Sequence, residues 1–373
     1  MTEAASDPRT GPRTGPRTGP QAAAPILSVR DLRVEFDTYG GTVHAVRGVS
    51  FDVFQGKTLA IVGESGCGKS VSVQSIMGLI PMPPGRITSG TAMLRVAEGE
   101  GQDILRNKRI DGEDIRGGRI GMIFQDPMTS LNPTMRIGDQ IAETLTVHRG
   151  YSKANANARA VELLDMTRIP DATHRARQYP FEFSGGMLQR SMIAMALACE
   201  PSILIADEPT TALDVTIQAQ ILDLMVDLQR DKQMAIILIT HDLGVVARMA
   251  DEVVVMYAGE VVERGTADDI FYRSAHPYTL GLRAAMPTNQ RSEIDGPAQT
   301  LTPIDGSPPD LFHPPTGCGY FARCPHAMNL CEHRHPQNFE LGDDHQSRCW
   351  LQHEASPRTI DSLYIPHQQA TPP

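Results

Sequence analysis

The chain has 373 residues, a length that favours about two domains. Its formal net charge of -10 argues against bulk nucleic-acid binding, which usually needs a basic patch. No stretch approaches the ~18 apolar residues that cross a membrane, and no charged-then-apolar leader is visible, so we expect neither a membrane span nor secretion.

The N-terminal segment is of low complexity. The tetrapeptide Pro-Arg-Thr-Gly occurs three times between Pro8 and Gly19. Proline and glycine at every fourth residue prevent a regular helix or strand ladder, so we predict disorder over residues 1–24. Its arginines could touch anionic lipid, or the segment could be a solvated tail without a role.

Folded structure is expected from residue 25. Residues 27–36 and 46–54 alternate apolar and polar side chains, which indicates two strands of an antiparallel sheet. Residues 63–270 then alternate strand-like and helix-like segments. This order predicts an α/β fold with a mostly parallel sheet covered by helices on both faces.

Residues 63–70, Gly-Glu-Ser-Gly-Cys-Gly-Lys-Ser, match a complete phosphate-binding loop. A strand-like run precedes the loop at residues 58–62, and a segment that can continue as a helix follows it. In that setting Lys69 would reach the outer phosphates of a nucleotide and the Ser70 hydroxyl would hold Mg²⁺. A glycine-rich turn ahead of a helix is the alternative. The candidate nucleotide-binding residues are Gly63, Glu64, Ser65, Gly66, Cys67, Gly68, Lys69 and Ser70.

Two further apolar runs end in chemically active side chains. Residues 203–206 lead into Asp207 and Glu208, and residues 235–239 lead towards His241. Ligand sites lie beyond the carboxyl ends of buried parallel strands. Asp207 would therefore hold Mg²⁺, Glu208 would polarise the attacking water, and His241 could bond a γ-phosphate. Without a phosphate loop nearby, all three could be ordinary turn or structural residues.

A serine and two glycines, Ser184, Gly185 and Gly186, open a long apolar stretch that runs to Cys199. A hydroxyl and bare N–H groups at a helix start can cradle an anion. A plain helix cap with a flexible approach explains the same residues.

In this order the segments resemble the ATP-binding subunit of an ABC transporter. The phosphate loop is followed by a glutamine loop at Gln125, a signature at residues 184–190, a Walker B strand at 203–208, a D-loop at 212–214 and a switch histidine. Residues 126–133 and 276–279 resemble the oligopeptide and dipeptide importer branch more closely. Met187 stands where most ABC proteins have Gln, and Leu188 where this branch usually has Arg.

The resemblance implies an ABC-type ATPase core over residues 25–270, with an antiparallel β subdomain and a helical subdomain at about 125–190. An irregular cysteine-rich extension would follow at 271–355, and a tail at 356–373. Seven prolines between residues 287 and 315 suggest an extended crossing segment there. Within the helical subdomain Ile137, Ile141 and Leu145 recur at helical spacing. They would either form core or lie under the membrane partner.

The resemblance also implies residue roles. Glu208, His241 and Gln125 would be catalytic; Ser70, Gln125 and Asp207 would bind Mg²⁺; and Tyr39 would stack on adenine, with Phe36 close by. The subunits would pair head to tail, so that Ser184, Gly185 and Gly186 of one chain close the ATP site of the other.

As a function, the resemblance implies an ATPase that energises import of di- or oligopeptides. Its partners would be a second ATPase subunit, two multi-spanning permease subunits and an external substrate-binding protein, and its place the cytoplasmic face of the cell membrane. Alternatives are import of nickel or another small solute, a soluble ABC ATPase of DNA repair or translation, and a stand-alone metal-sensing ATPase.

Four of the six cysteines lie in the extension, at Cys318, Cys324, Cys331 and Cys349. Disulfides are disfavoured because an ATP-driven subunit works in the reducing cytosol. Zinc ligands are usually closer in sequence than these, whereas an iron–sulfur cluster accepts four thiolates from looser loops. Residues 317–326 resemble a cysteine motif that follows the ATPase core in many peptide-importer subunits, so we expect a [4Fe–4S] cluster, with zinc or no metal as alternatives. Four histidines of the extension could replace a ligand or be merely exposed: His326, His333, His335 and His345.

Overall fold

The computed structural model describes six stretches of the chain. These are residues 24–95, 101–106, 115–211, 213–286, 303–342 and 344–357. The repeats of the N-terminus, part of the proline-rich segment and most of the C-terminal tail lie outside them, so the predictions for those residues stay predictions.

The described residues contain strands and helices in the alternating order that the sequence predicts. The strands are β1 Leu27–Thr38, β2 Gly41–Val53, β3 Thr58–Val62, β4 Gly85–Leu94, β5 Gln102–Asp103, β6 Ile120–Ile123, β7 Ile203–Asp207, β8 Ala235–Thr240, β9 Glu252–Tyr257, β10 Glu260–Thr266, β11 Phe339–Glu340 and β12 Gln346–Ser347. The α-helices are α1 Lys69–Ile76, α2 Pro127–Ser130, α3 Ile137–Arg149, α4 Lys153–Met166, α5 Ala172–Arg175, α6 Gly185–Leu197, α7 Val215–Lys232, α8 Leu243–Met249, α9 Ala267–Tyr272, α10 Pro277–Ala284 and α11 Asn329–His333.

The larger sheet has the strand order β11-β12-β10-β9-β3-β8-β7-β6. Within it, the neighbouring strands in the run β9-β3-β8-β7-β6 pair in parallel. Strands β3, β7 and β8 are buried along their whole length. Strands covered on both faces carry continuous apolar runs. The predicted mostly parallel sheet is therefore confirmed, and the carboxyl ends of β3, β6, β7 and β8 lie at one edge.

The smaller sheet is antiparallel, with the order β2-β1-β4-β5. It confirms the predicted antiparallel subdomain, although β1 extends past residue 36 and β2 begins before residue 46. The register pairs Thr38 with Gly41, which closes the hairpin over a two-residue turn. The apolar face of this sheet packs with residues of β3 and α1 into one core.

Helices α3 to α6 share a core of their own. In α3 the predicted apolar positions Ile137, Ile141 and Leu145 are each about 1% exposed. They recur every four residues and therefore share the face of α3 that packs against α4. Of the two alternatives, these side chains form core, and the contact of this surface with a membrane partner stays a prediction.

The extension is more regular than predicted. Its strand β12 pairs with β10, and β11 pairs with β12, so the extension adds two strands to the edge of the larger sheet. Tyr320 of the extension packs against Tyr257 and Tyr278, with ring centroids 5.2 and 5.4 Å away. The described part of the proline-rich segment, residues 303–315, contains neither helix nor strand, as predicted. Across the described ranges, no helix combines the length and the apolar character that crossing a bilayer requires.

Candidate ATP site at the strand ends

The phosphate loop joins β3 to α1, the setting that the sequence predicts. Gly68 lies at the N-terminus of α1 with φ of +94°, and a Cβ there would stand 2.4 Å from the carbonyl oxygen of Ala45. Glycine is required because it alone tolerates both the left-handed backbone and the close approach of β2. The loop N–H groups and the positive end of α1 can therefore surround an anion.

Lys69 and Ser70 occupy the first turn of α1. The Lys69 ammonium donates hydrogen bonds to the carbonyl oxygens of Gly63 and Glu64, at 2.8 and 2.9 Å. The Ser70 hydroxyl donates to Oδ1 of Asp207 at 2.8 Å. Residues that are 137 positions apart in sequence thus meet where β3 and β7 end, as the Mg²⁺ prediction requires.

Asp207 is 4% exposed at the end of β7. Burial raises the pKa of this carboxyl, and the hydrogen bond from Ser70 opposes that rise. A buried carboxylate is costly to ionise without a partner, and a bound cation stabilises its ionised form. Asp207 and Ser70 are therefore suited to hold Mg²⁺.

Glu208 is the centre of a hydrogen-bond network. Its Oε2 accepts from Nε2 of Gln125 at 2.8 Å and from the Thr211 hydroxyl at 3.0 Å, and its Oε1 lies 3.2 Å from Nδ1 of His241. Gln125 follows β6, Glu208 follows β7 and His241 follows β8. Three neighbouring parallel strands thus deliver the three predicted catalytic residues to one point.

The backbone and the charge of Glu208 are both unusual. Its φ of +47° is in the left-handed region, which non-glycine residues seldom adopt. Burial alone would raise the pKa of this carboxyl, but the hydrogen bonds from His241 and Thr211 outweigh it and lower the pKa below its ordinary value. An ionised Glu208 can accept a proton from a water molecule.

The signature residues are not part of this network among the described residues. Ser184 caps α6 without a side-chain hydrogen bond, and both Ser184 and Gly185 are exposed. Gly186 approaches Ile217 so closely that a Cβ would stand 2.9 Å from the Ile217 side chain. The predicted cradle is thus exposed on its own chain.

Tyr39 lies in the turn between β1 and β2 and is fully exposed. Phe36 is partly buried on β1, where its ring faces Gly85. The role of Tyr39 stays a prediction. In the D-loop, Ala212 lies outside the described residues, while Asp214 caps α7 by accepting from the N–H of Ile217.

Sequence reasoning missed three residues that contact the site. The Thr211 hydroxyl donates a hydrogen bond to Glu208, and its position three residues after Glu208 could have indicated this contact. Tyr278 and Arg323, from beyond the ATPase core, both contact Glu64 of the phosphate loop. No spacing in the sequence links position 323 to position 64.

The four cysteines of the extension line one small cavity, together with His276 and Trp350. Burial, and then the proximity of the other thiols, raises the pKa of Cys318 to about 12. Burial also raises the pKa of Cys324 to about 11. Within the described ranges, however, no group of three or more His, Cys, Asp or Glu side chains is arranged to hold a metal. The structure brings the thiols together without demonstrating the predicted cluster.

Two histidines of the extension are paired with carboxylates and are not merely exposed. Nε2 of His345 lies 2.8 Å from Glu263, and both side chains are buried. His335 lies 2.9 Å from Glu260 of β10. Neither histidine is among the residues that line the cysteine cavity, so their role as replacement ligands stays a prediction.

Comparison with known proteins agrees with this geometry. Residues 46–211 match the ABC transporter family model, and residues 262–331 match the oligopeptide/dipeptide transporter C-terminal region. The dipeptide transport ATP-binding protein DppD of Bacillus subtilis (strain 168) is 53% identical over 335 residues, which cover 90% of this chain and 97% of that protein. The oligopeptide transport ATP-binding protein OppD of the same organism is 54% identical over 333 residues, covering 89% and 90%.

A solved dimeric structure of the ATP-binding cassette MJ0796, in a post-hydrolysis state with ADP and Pi, has the same fold. It superposes with a TM-score of 0.57 and 25% identity, covering 65% of this chain and 99% of that one. The cbiO1 structure from Clostridium perfringens, part of the ABC transporter complex cbiONQ, gives a TM-score of 0.55 at 29% identity, covering 66% and 91%. The chain therefore has the ABC ATPase fold and belongs to the ABC transporter family, among the peptide-transport ATP-binding proteins with their characteristic C-terminal region.

Proposed function

We propose that this chain is the ATP-hydrolysing subunit of an importer of di- or oligopeptides. The observation that carries the proposal is the network around Glu208, which joins the ends of β6, β7 and β8 beside the phosphate loop. Identity above 50% along about nine tenths of the chain to peptide-transport ATP-binding proteins supports the substrate class. The same identity argues against a soluble ABC ATPase of DNA repair or translation.

In this proposal ATP binds at residues 63–70, with its phosphates against the loop N–H groups and Lys69. Ser70, Asp207 and Gln125 hold Mg²⁺. Glu208 takes a proton from the attacking water while His241 bonds the γ-phosphate. Because the dipoles of loop and helix are fixed before reaction, they stabilise the developing charge without reorganisation.

Two chains would complete two sites. The exposed Ser184 and Gly185 of one subunit would close the phosphate site of a second ATPase subunit placed head to tail. We propose that the pair docks on two permease subunits at the cytoplasmic face of the membrane, and that an external binding protein delivers the peptide. Met128 and Phe181, which are 62% and 72% exposed on the helical subdomain, are available for that docking.

The proposed organisation is an N-terminal tail at 1–24, an ATPase domain at 25–270 with a helical subdomain at about 125–190, an extension at 271–355 and a tail at 356–373. Within the extension, four thiols that converge on one cavity have the chemistry that a [4Fe–4S] cluster needs. Cys318, Cys324, Cys331 and Cys349 would hold it, and the cluster would act as a structural staple for a segment with little core of its own.

The test is the composition and activity of the membrane complex. The tagged chain is purified in detergent from membranes of its own host, and the co-purifying proteins are identified by mass spectrometry. We expect two multi-spanning proteins, a second ATPase subunit and Mg²⁺-dependent ATP hydrolysis. Recovery of the chain without membrane subunits, in an ATPase-active form, would contradict the proposal.

A further inference from the structure

Two residues of the extension form hydrogen bonds with the same residue of the phosphate loop, from two directions. The Arg323 guanidinium donates two hydrogen bonds to the Glu64 carboxylate, at 2.6 and 2.9 Å. The backbone N–H of Glu64 donates to the Tyr278 hydroxyl at 2.8 Å. The second residue of the loop is therefore held through its side chain and its backbone by residues beyond the ATPase core.

Arg323 is itself firmly held. Its side chain is 5% exposed, lies over the ring of Tyr257, and donates to the carbonyl oxygens of Ile304 and Asp305. The hydrogen bond to Glu64 raises the pKa of the guanidinium, so it remains charged at any working pH. A bidentate arginine with this many fixed partners constrains the position of the carboxylate that it binds.

The position of Glu64 matters for the nucleotide site. Its carbonyl oxygen and that of Gly63 accept from the Lys69 ammonium. A displacement of Glu64 would move the acceptors that orient Lys69 and the N–H groups that follow in the loop. Glu64 is therefore the point at which the extension can act on the phosphate site.

We propose that Arg323, supported by Tyr278, positions the phosphate loop, so that the C-terminal extension sets the ATP affinity of the core. This inference rests on the proposed binding of ATP by the loop. Arg323 acts through Glu64 and is a positioning residue, with no contact to the nucleotide required. An ATPase core without its extension would then be an incomplete nucleotide site.

The experiment is a double-mutant cycle on the full-length chain. Arg323→Ala, Glu64→Gln and the double variant are titrated with a fluorescent ATP analogue and Mg²⁺. Arg323→Lys tests whether charge without the bidentate geometry is enough. Arg334→Ala, which removes an exposed arginine of the same extension, is the matched control.

We expect each single variant to raise the Kd for nucleotide roughly tenfold, the double variant to be no weaker than the weaker single, and Arg323→Lys to recover part of the loss. In the assembled complex Arg323→Ala should raise the KM for ATP while kcat at saturating ATP stays near the parent value. Arg334→Ala should bind as the parent does. A merely structural role would not give this non-additive pattern.

If Arg323→Ala does not fold, Glu64→Gln provides the test. This variant keeps the shape of the loop residue and leaves the extension unaltered. Folded Glu64→Gln with parental affinity, or losses that add in the double variant, would overturn the inference while the proposed function stands. A parent chain that binds no ATP would refute the proposed function and this inference together.

Discussion

The side-chain amide of Gln125 donates a 2.8 Å hydrogen bond to the carboxylate of Glu208, across two neighbouring parallel strands. The same carboxylate meets His241 from the strand on its other side. A carboxylate held from both sides has a fixed direction, and its lowered pKa keeps it ionised. Glu208 is therefore suited to act as a base on a water molecule that enters this network.

Glu208→Gln is expected to separate ATP binding from hydrolysis. The amide keeps the shape of the side chain but cannot take a proton from water. We expect hydrolysis by the assembled complex to fall about a hundredfold or more, about 3 kcal/mol in the barrier, with ATP binding retained. Phosphate release gives the rate and nucleotide titration gives the affinity. Near-normal turnover would exclude Glu208 as the base, provided that the partner subunit's own site is silenced in both preparations.

Lys69→Ala is expected to weaken ATP binding by more than tenfold. Lys69 is 5% exposed within the phosphate loop, and a charge-assisted contact is worth about 1.5–3 kcal/mol. Lys57→Ala is the matched control, because Lys57 lies just before β3, is exposed and pairs with Asp251. Equilibrium titration with labelled nucleotide decides the matter. If both variants bound ATP with equal affinity, Lys69 would not be part of the nucleotide site.

Lowering the pH should remove a stabilising contact between the core and the extension. Burial alone would raise the pKa of Glu260, but the hydrogen bond with His335 and the charge of Arg47 lower it. Because the folded-state pKa lies below its ordinary value of 4.5, ionised Glu260 stabilises the fold above that pH. This contribution is lost as the pH falls through the lowered pKa.

Glu260→Gln should therefore destabilise the protein at pH 7 by about 3 kcal/mol, because Arg47 and His335 lose their buried partner. The difference in unfolding free energy between parent and variant should shrink as the pH falls below about 4.5. Denaturant unfolding at several pH values measures it. A difference that stays constant with pH would show that the charge of Glu260 does not matter.

The cysteine cavity is expected to hold iron. Protein purified without air should be brown, absorb broadly near ~400 nm and contain about four irons per chain. Changing Cys318, Cys324, Cys331 or Cys349 to serine should each abolish the colour. Cys199→Ala, at a buried thiol outside the extension, should leave it unchanged. Stoichiometric zinc would favour the zinc alternative, and neither metal would leave an ordinary thiol cavity.

The sequence predicted the site because its residues follow apolar strands. The runs before Glu208 and His241 indicate buried parallel strands, and such strands bring their carboxyl ends to one sheet edge. The phosphate loop is likewise recognised from the spacing of the glycines, lysine and serine within residues 63–70. These signals are local, so one sequence was enough to place residues 63–70 beside Asp207.

The contacts that were missed depend on long-range packing. The contact of Arg323 with Glu64 joins parts of the chain that also meet where Tyr320 packs on Tyr257 and where β12 joins the edge of the larger sheet. Neither contact has a periodicity or spacing that a sequence can show. From the sequence alone Ile137 could lie either in the core or under a partner. Helical spacing identifies an apolar face of a helix, but it does not show what packs against that face.

Peptide accumulation in proteoliposomes tests the central claim most directly. The purified complex is reconstituted with ATP at the face that carries this chain and with the binding protein and a labelled peptide at the other. The account predicts ATP-dependent peptide accumulation that Glu208→Gln abolishes, with no accumulation of labelled nickel. Nickel accumulation without peptide uptake, or peptide uptake that is independent of ATP, would contradict it.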